Sequence, residues 1–373
     1  MNIQMVDLVN QYKKIKPEID EAIQRVLDSG QFVLGRIVTE FEEASANYLG
    51  VKHAIGCASG TDALQVAMMA LGIQPGDEII TTPFTFVATT ETIVLLGAKP
   101  VYVDIEPKTF NIAPELIERA ITRKTKAIIP VHLYGQPADM DPIMTIARKH
   151  GLPVIEDTAQ AMGSEYKGKK VGGIGTMGAI SFFPSKNLGA CGDAGMVVTN
   201  DTDLAEKVRM IIIHGSRVRY EHEILGVNSR LDSIQAAVLN VKLKYLDRWH
   251  EARRIAAQRY NRLFENVGIE TPYEAPFGKH IYHQYTVRVK DRDRVSRNLA
   301  ERRIPHAIYY PIPLHRQEAF RAAGRPMGSF PATEKAAEEV LSLPMHTELT
   351  EEQQSFIASA LIQDVSSRHA AAL

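Results

Sequence analysis

Cysteine and tryptophan are scarce in this chain: Cys57, Cys191 and one tryptophan occur in 373 residues. With no CxxC pair and no Cys/His cluster at zinc-like spacing, a disulfide-stapled scaffold and a structural zinc module are both excluded. A reducing compartment follows, so a cytoplasmic protein is expected, with both cysteines as small hydrophobes. Excess charge of one sign is also missing, since 43 Lys+Arg stand against 44 Asp+Glu and the formal net charge is −1. Nucleic-acid binding draws on counterion release by clustered basic residues, so no such partner is expected. Short basic runs such as Arg119, Arg123 and Lys124 read as solvated faces. No stretch approaches the roughly 20 apolar residues of a membrane span, and the opening MNIQMVDLVNQYKKIKPEID has no apolar signal core. No membrane association is expected.

What the chain has is an ordinary globular balance, 45% hydrophobic and 23% charged, and enough length for two domains. Between residue 53 and about residue 200, short Val- and Ile-rich runs alternate with helical patterns, which is the pattern of a mostly parallel sheet with crossover helices. Strands are expected at 53–57, 78–81, 100–103, 127–132, 154–156, 179–183 and 196–199. Leu231, Ile234, Val238, Val241 and Tyr245 recur at helical spacing, so one long amphipathic helix is expected over 231–249, its stripe most simply core. Beyond it, helices near 253–264 and 292–303, strands at 284–289 and 307–310 and a terminal helix from Glu351 outline a smaller α/β unit. The expected division is a large domain over 1–249, with an N-terminal helical segment, and a small C-terminal domain over 250–373.

Residues 173–178 match G-x-G-x-x-G, with Asp193 twenty residues after the first glycine. A dinucleotide site must follow a strand and open a helix, but here a lysine-rich stretch precedes the motif and a strand follows it, so a flexible connector is expected. A better anion site is Ser59-Gly60-Thr61-Asp62, at a strand end and the start of a helix, where free N–H groups and the helix dipole favour a phosphate. An ordinary N-cap fits those residues as well. Ile155-Glu156-Asp157 ends a strand at the edge where open α/β sheets bind ligands. Lys186 follows another strand twenty-nine residues after Asp157. Alone it would be a solvated charge. Together, a phosphate cradle, a strand-end aspartate and a strand-end lysine are what pyridoxal 5'-phosphate requires. His222-Glu223 does not begin HExxH, since the second histidine is missing, so no metal site is expected.

Five segments in order, 59–64 (SGTDAL), 83–88 (PFTFVA), 156–161 (EDTAQA), 181–188 (SFFPSKNL) and 226–232 (GVNSRLD), give a resemblance over essentially the whole chain to the sugar-nucleotide aminotransferases of the DegT/DnrJ/EryC1/StrS family. The resemblance implies the PLP-dependent transferase fold type I, aspartate aminotransferase-like, with a mostly parallel sheet in a large domain and a smaller C-terminal α/β domain. It implies that Lys186 is the lysine that condenses with the cofactor, Asp157 the partner of its ring nitrogen and Gln160 a neighbour of the ring hydroxyl. Gly60, Thr61 and Ser181 would bind the phosphate, and Phe86 would stack on the ring. Asn228 would reach the phosphate of a neighbouring subunit in a homodimer with active sites at the interface.

Family members with histidine in place of the lysine perform dehydration, and Lys186 argues against that branch. The pattern of 217–222, 226–232 and 310–315 resembles enzymes that aminate C3 of a nucleotide-linked 3-keto sugar, above all UDP-2-acetamido-3-oxo-glucuronate, with L-glutamate as donor and 2-oxoglutarate as by-product. A dTDP-linked 3-keto- or 4-keto-6-deoxyhexose is the alternative acceptor. Arg230 and Arg219 suit a carboxylate or a diphosphate, though Arg219 fits an ion pair equally. Tyr309, Tyr310 and His315 would line the sugar pocket or serve as packing. Two other classes stay open at this point: a nicotinamide-dependent oxidoreductase built on 173–178, and a PLP-binding regulator without turnover.

Overall fold

The computed structural model describes residues 2–321 and 328–371. Seven short strands form its central sheet: β1 His53–Cys57, β2 Glu78–Thr81, β3 Lys99–Tyr102, β4 Thr125–Ile128, β5 Ile155–Asp157, β6 Met177–Ser181 and β7 Gly195–Thr199. Two ladders, β3-β2-β4 and β5-β6-β7-β1, are joined by parallel bridges from Ile128 to Val154 and from Val131 to Asp157. Only β7 runs antiparallel to its neighbours. Helices cover both faces, so β7 is buried along its whole length and reads as an uninterrupted apolar run.

Four helices position the site and the fold around it: α1 Leu8–Ser29, α2 Arg36–Leu49, α3 Gly60–Ala70 and α4 Val87–Leu95. α1 begins where the Asp7 side chain accepts from Asn10 N–H and ends at left-handed Gly30. α3 lies on the sheet with Leu64, Val66 and Ala67 against Ile55, Ile79, Ile129 and Val197. Each fully buried aliphatic side chain contributes about 1.5–3 kcal/mol, and the layer fixes the start of α3 at the carboxyl edge of the sheet.

The expected helix over 231–249 is two helices, Ser233–Leu243 and Leu246–Leu263, and the second absorbs the helix expected near 253–264. No proline or glycine marks the break. The chain turns where Tyr245 stacks on Trp249, 5.9 Å between centroids, and its hydroxyl donates to Glu18 on α1. Trp249 packs with α1 and Val238. Further along the same helix, Ala256 and Tyr260, with Phe264 at its C-cap, enter a second core with Tyr285, Val287, Leu299, Leu341 and Leu361, which Ile3 also joins. In that unit Tyr285–Arg288 pairs antiparallel with Val340–Leu343. The strand expected at 307–310 does not form. Ala307 alone pairs, with Ser342, because the prolines at 311 and 313 cannot donate to a ladder and Tyr309 and Tyr310 turn into the cavity described next. No helix among the described residues is long and apolar enough to cross a membrane.

Candidate active site

The ends of β1, β2, β5 and β6 meet at one cavity of about 390 Å³. Of the residues singled out in the sequence, it brings together Gly60, Thr61, Phe86 and Asp157 with Gln160, Ser181, Lys186, Tyr309 and Tyr310. At one end, the Ser59 hydroxyl caps α3 by accepting from Asp62 N–H at 3.1 Å, and the N–H groups of Gly60 and Thr61 have no partner among the described residues. A Cβ at Gly60 would lie 2.5 Å from Ser181 Cβ, so only glycine lets the helix start and the end of β6 close on one another. That makes a cradle for an anion such as a phosphate.

Asp157 closes β5 and is buried, its Oδ2 accepting from the Thr89 hydroxyl at 2.8 Å and its Oδ1 from Ala159 N–H at 3.2 Å. Burial pushes its carboxyl above the ordinary value, opposed by those two donors and by the positive Lys186. Lys186 has the reciprocal problem: burial pushes its ammonium down to about 8, while Asp157 pulls it upward. Burial therefore disfavours the charged form of each group, and a compensating opposite charge relieves that cost. A cationic ring N–H at Asp157 would do so, and an amine close to neutrality is the form that attacks an aldehyde. Anion cradle, buried acid and low-pKa lysine fit pyridoxal phosphate.

Gln160 is committed on both ends, its Oε1 accepting from Tyr134 N–H at 2.7 Å and its Nε2 donating to the Tyr310 hydroxyl at 3.0 Å. Tyr134 in turn donates its hydroxyl to the Tyr309 carbonyl. These bonds tie the 309–310 segment over the cavity. Phe86, 53% exposed at the start of α4, has its ring 6.2 Å from that of Tyr310.

Four expected site residues do not line the cavity of this chain. Arg219 sits on the exposed hairpin formed by Ser216–Val218 and Glu221–His222, over the ring of Tyr220 at 4.9 Å. Asn228 is exposed and bridges Ile213 through its backbone, and Arg230 is half-buried beside it. Their neighbour Ser229 does reach the cradle, donating to Asp62 at 2.6 Å and accepting from Ala58 N–H. His315 is buried against the Phe330 ring, 4.8 Å away, and bonded to Glu334.

Residues 173–178 form no flexible connector and no dinucleotide turn. With Gly172 they wrap the buried Glu156 carboxylate, which accepts from the N–H groups of Gly172, Ile174 and Gly175 at 2.6–2.8 Å. His132 completes the shell: its Nδ1 accepts from Ala138 N–H, so Nε2 carries hydrogen and donates to Glu156 at 3.0 Å. The glycines serve this fit, since a Cβ at Gly178 would lie 2.3 Å from the Gly172 carbonyl oxygen. Sequence reasoning also missed Thr89. No local motif marks it, and only the structure shows Thr89 bonded to Thr85 at 3.1 Å and to Asp157. His283 and Gln284 line the cavity too, with no local motif to mark them.

The fold and this cavity define a class, and the DegT/DnrJ/EryC1/StrS aminotransferase family model matches residues 13–362. The chain belongs to that family. It is 53% identical over 366 residues to a "Pleiotropic regulatory protein" of Geobacillus stearothermophilus, covering 97% of this chain and 98% of that one. It is 50% identical over 359 residues to the UDP-2-acetamido-2-deoxy-3-oxo-D-glucuronate aminotransferase of Pseudomonas aeruginosa, covering 96% and 99%. Its structure superposes on the crystal structure of S. venezuelae DesV in complex with a ketimine intermediate with a TM-score of 0.94, at 42% identity, covering 97% and 98%.

Proposed function

We propose that this protein uses pyridoxal 5'-phosphate to transfer the amino group of L-glutamate to C3 of a nucleotide-linked 3-keto sugar, releasing 2-oxoglutarate. The acceptor we favour is UDP-2-acetamido-3-oxo-glucuronate, the sugar in the name of the Pseudomonas aeruginosa relative. One observation carries the reading: Lys186 and Asp157 share a cavity with the anion cradle at Gly60 and Thr61.

When bound, the cofactor supplies an aldehyde that takes up the amino group and a ring that withdraws electrons from the adjacent carbon. Gly60 and Thr61 would hold its phosphate through their backbone N–H groups, with Ser181 alongside. Asp157, kept in place by Thr89 and Ala159, would hold a proton on the ring nitrogen. Lys186 Nζ would carry the proton to and from the substrate carbon, because a pKa of about 8 lets it give and take near neutral pH. Phe86 would cover one face of the ring.

A second copy of the chain would complete the site. Phe86 and Phe183 line the cavity yet are 53% and 51% exposed. Asn228, Arg219 and Arg230 lie outside the cavity of their own chain, and among the described residues that line it Lys186 is the only Lys or Arg. A homodimer would cover those rings and could bring guanidinium groups to the substrate's carboxylate or diphosphate. Two unpaired cysteines suit the cytoplasm.

The test is a visible absorption spectrum with PLP before and after L-glutamate, with Lys186→Ala as control. The transferase gives a yellow band that glutamate bleaches in the parent alone, and the variant retains non-covalent cofactor without transfer. The regulatory name of the Geobacillus relative motivates one rival, a cofactor-binding regulator, for which glutamate would leave the band unchanged.

A further inference from the structure

The wall of the cavity built by residues 283 and 284 carries hydrogen-bonding capacity that the protein does not use. His283 Nδ1 lies 3.0 Å from Asn187 Oδ1, and Asn187 Nδ2 donates to the Ile281 carbonyl at 3.3 Å. A carbonyl can only accept, so the amide nitrogen of Asn187 must face it and the amide oxygen must face the imidazole. His283 Nδ1 therefore carries the hydrogen. The other nitrogen, Nε2, is left as a lone-pair acceptor with no partner among the described residues. Burial, with Lys186, Arg253 and His280 nearby, keeps the ring neutral. Behind the wall, buried Arg253 donates to the carbonyls of Tyr282, His283 and Met345 at 3.2, 3.3 and 2.9 Å, which holds the segment rigid.

Gln284 is the second half of the wall. Its Oε1 is buried without a hydrogen bond, and its Nε2 has no partner among the described residues either. An unsatisfied amide oxygen in a cavity costs free energy that a ligand can recover. Neither side chain is needed for the cofactor anchors at Gly60, Thr61 and Asp157.

We propose that His283 and Gln284 form a specificity-determining pair that reads a hydrogen-donating substituent of the sugar, a hydroxyl or an amide N–H; this rests on the sugar-nucleotide reading above. A neutral Nε2 offers only a lone pair, so it accepts from O–H or N–H and repels a carboxylate. Gln284 Oε1 can accept from either substituent, and its Nε2 can donate to a hydroxyl. A carboxylate on the sugar must therefore be read elsewhere. Asn187 is a positioning residue that fixes the tautomer, which links the segment following Lys186 to the specificity wall.

The test is calorimetric binding to the full-length protein of UDP-N-acetylglucosamine, which carries hydroxyls and an amide N–H, and of UDP. His283→Asn keeps a donor for Asn187 and removes the cavity acceptor, while Gln284→Leu removes the amide at similar volume. Each should weaken UDP-N-acetylglucosamine binding about tenfold, as expected for one lost neutral hydrogen bond, and UDP binding by about twofold at most. Asn187→Leu should reproduce the His283→Asn loss. Should one variant fail to fold, the others carry the same comparison. The proposal is overturned if the folded variants bind UDP-N-acetylglucosamine like the parent, or if the parent binds it no more tightly than UDP. Failure of glutamate to bleach the parent would instead overturn the transfer reading and leave these binding differences intact.

Discussion

Lys186 is the group whose ionisation the fold changes in the way the proposed chemistry needs most, and its titration can be measured without any turnover. Its pKa falls from 10.5 to about 8 because burial strips water from the ammonium, with Asp157 restoring part of the loss. At about pH 7.5 a lysine at 10.5 is neutral in roughly one molecule in a thousand, whereas one near 8 is neutral in about a quarter, a gain of roughly 240-fold in reactive amine. The same shift is worth about 3 kcal/mol against the charged form. The sign follows from linkage: the folded pKa lies below the unfolded one, so the cost is fully present below about 8 and is relieved as the pH rises toward 10.5. This one group thus makes the fold more stable with rising pH across that window. Competitive labelling of the cofactor-free protein with trace acetic anhydride, read by mass spectrometry at Lys186 across pH, gives the midpoint directly. Asp157→Asn removes the one anion that supports the ammonium, so the midpoint should move further down. A parent midpoint near 10.5, or an upward move in Asp157→Asn, would refute the electrostatic account.

Three further outcomes are expected. Glu156→Gln places an amide NH₂ against donors whichever way it turns, because Oε1 faces the N–H groups of Ile174 and Gly175 and Oε2 faces Gly172 N–H and His132; urea unfolding should show a loss of about 2–5 kcal/mol. Gly60→Ala forces a Cβ to 2.5 Å from Ser181 Cβ, which should cost about 1–3 kcal/mol of stability and weaken PLP binding measured by fluorescence quenching. Arg253→Met uncaps three buried carbonyls and should lower stability by about 3 kcal/mol, read by guanidinium unfolding.

Much of the architecture is legible one segment at a time. β1 and β2 span the residues their apolar runs mark, 53–57 and 78–81, because a strand buried on both faces must be apolar throughout and its neighbours in sequence decide where it stops. The cradle at Gly60 and the acid at Asp157 are legible for a related reason, since each is the first or last residue of such an element and strand ends in α/β sheets converge. Membership of the family was legible from five short motifs, and the match over residues 13–362 agrees with them.

Other features depend on partners far away in the chain, and no local pattern announces them. The glycine motif at 173–178 reads as a connector until the fold brings it against Glu156, whose negative charge needs its N–H groups. The helix expected over 231–249 breaks at a residue with good helical neighbours because Tyr245 is drawn to Glu18, 227 positions away. The segment 307–310 has strand composition, but its ladder ends at Ala307 and its tyrosines are claimed by Gln160 and Tyr134. His283 acquires its tautomer from Asn187, 96 residues earlier. Periodicity and motif spacing report which face of an element is apolar and where it ends. Which buried polar atom meets which partner, and so which charge is held and which nitrogen bears the proton, is decided only once the tertiary structure has closed around them.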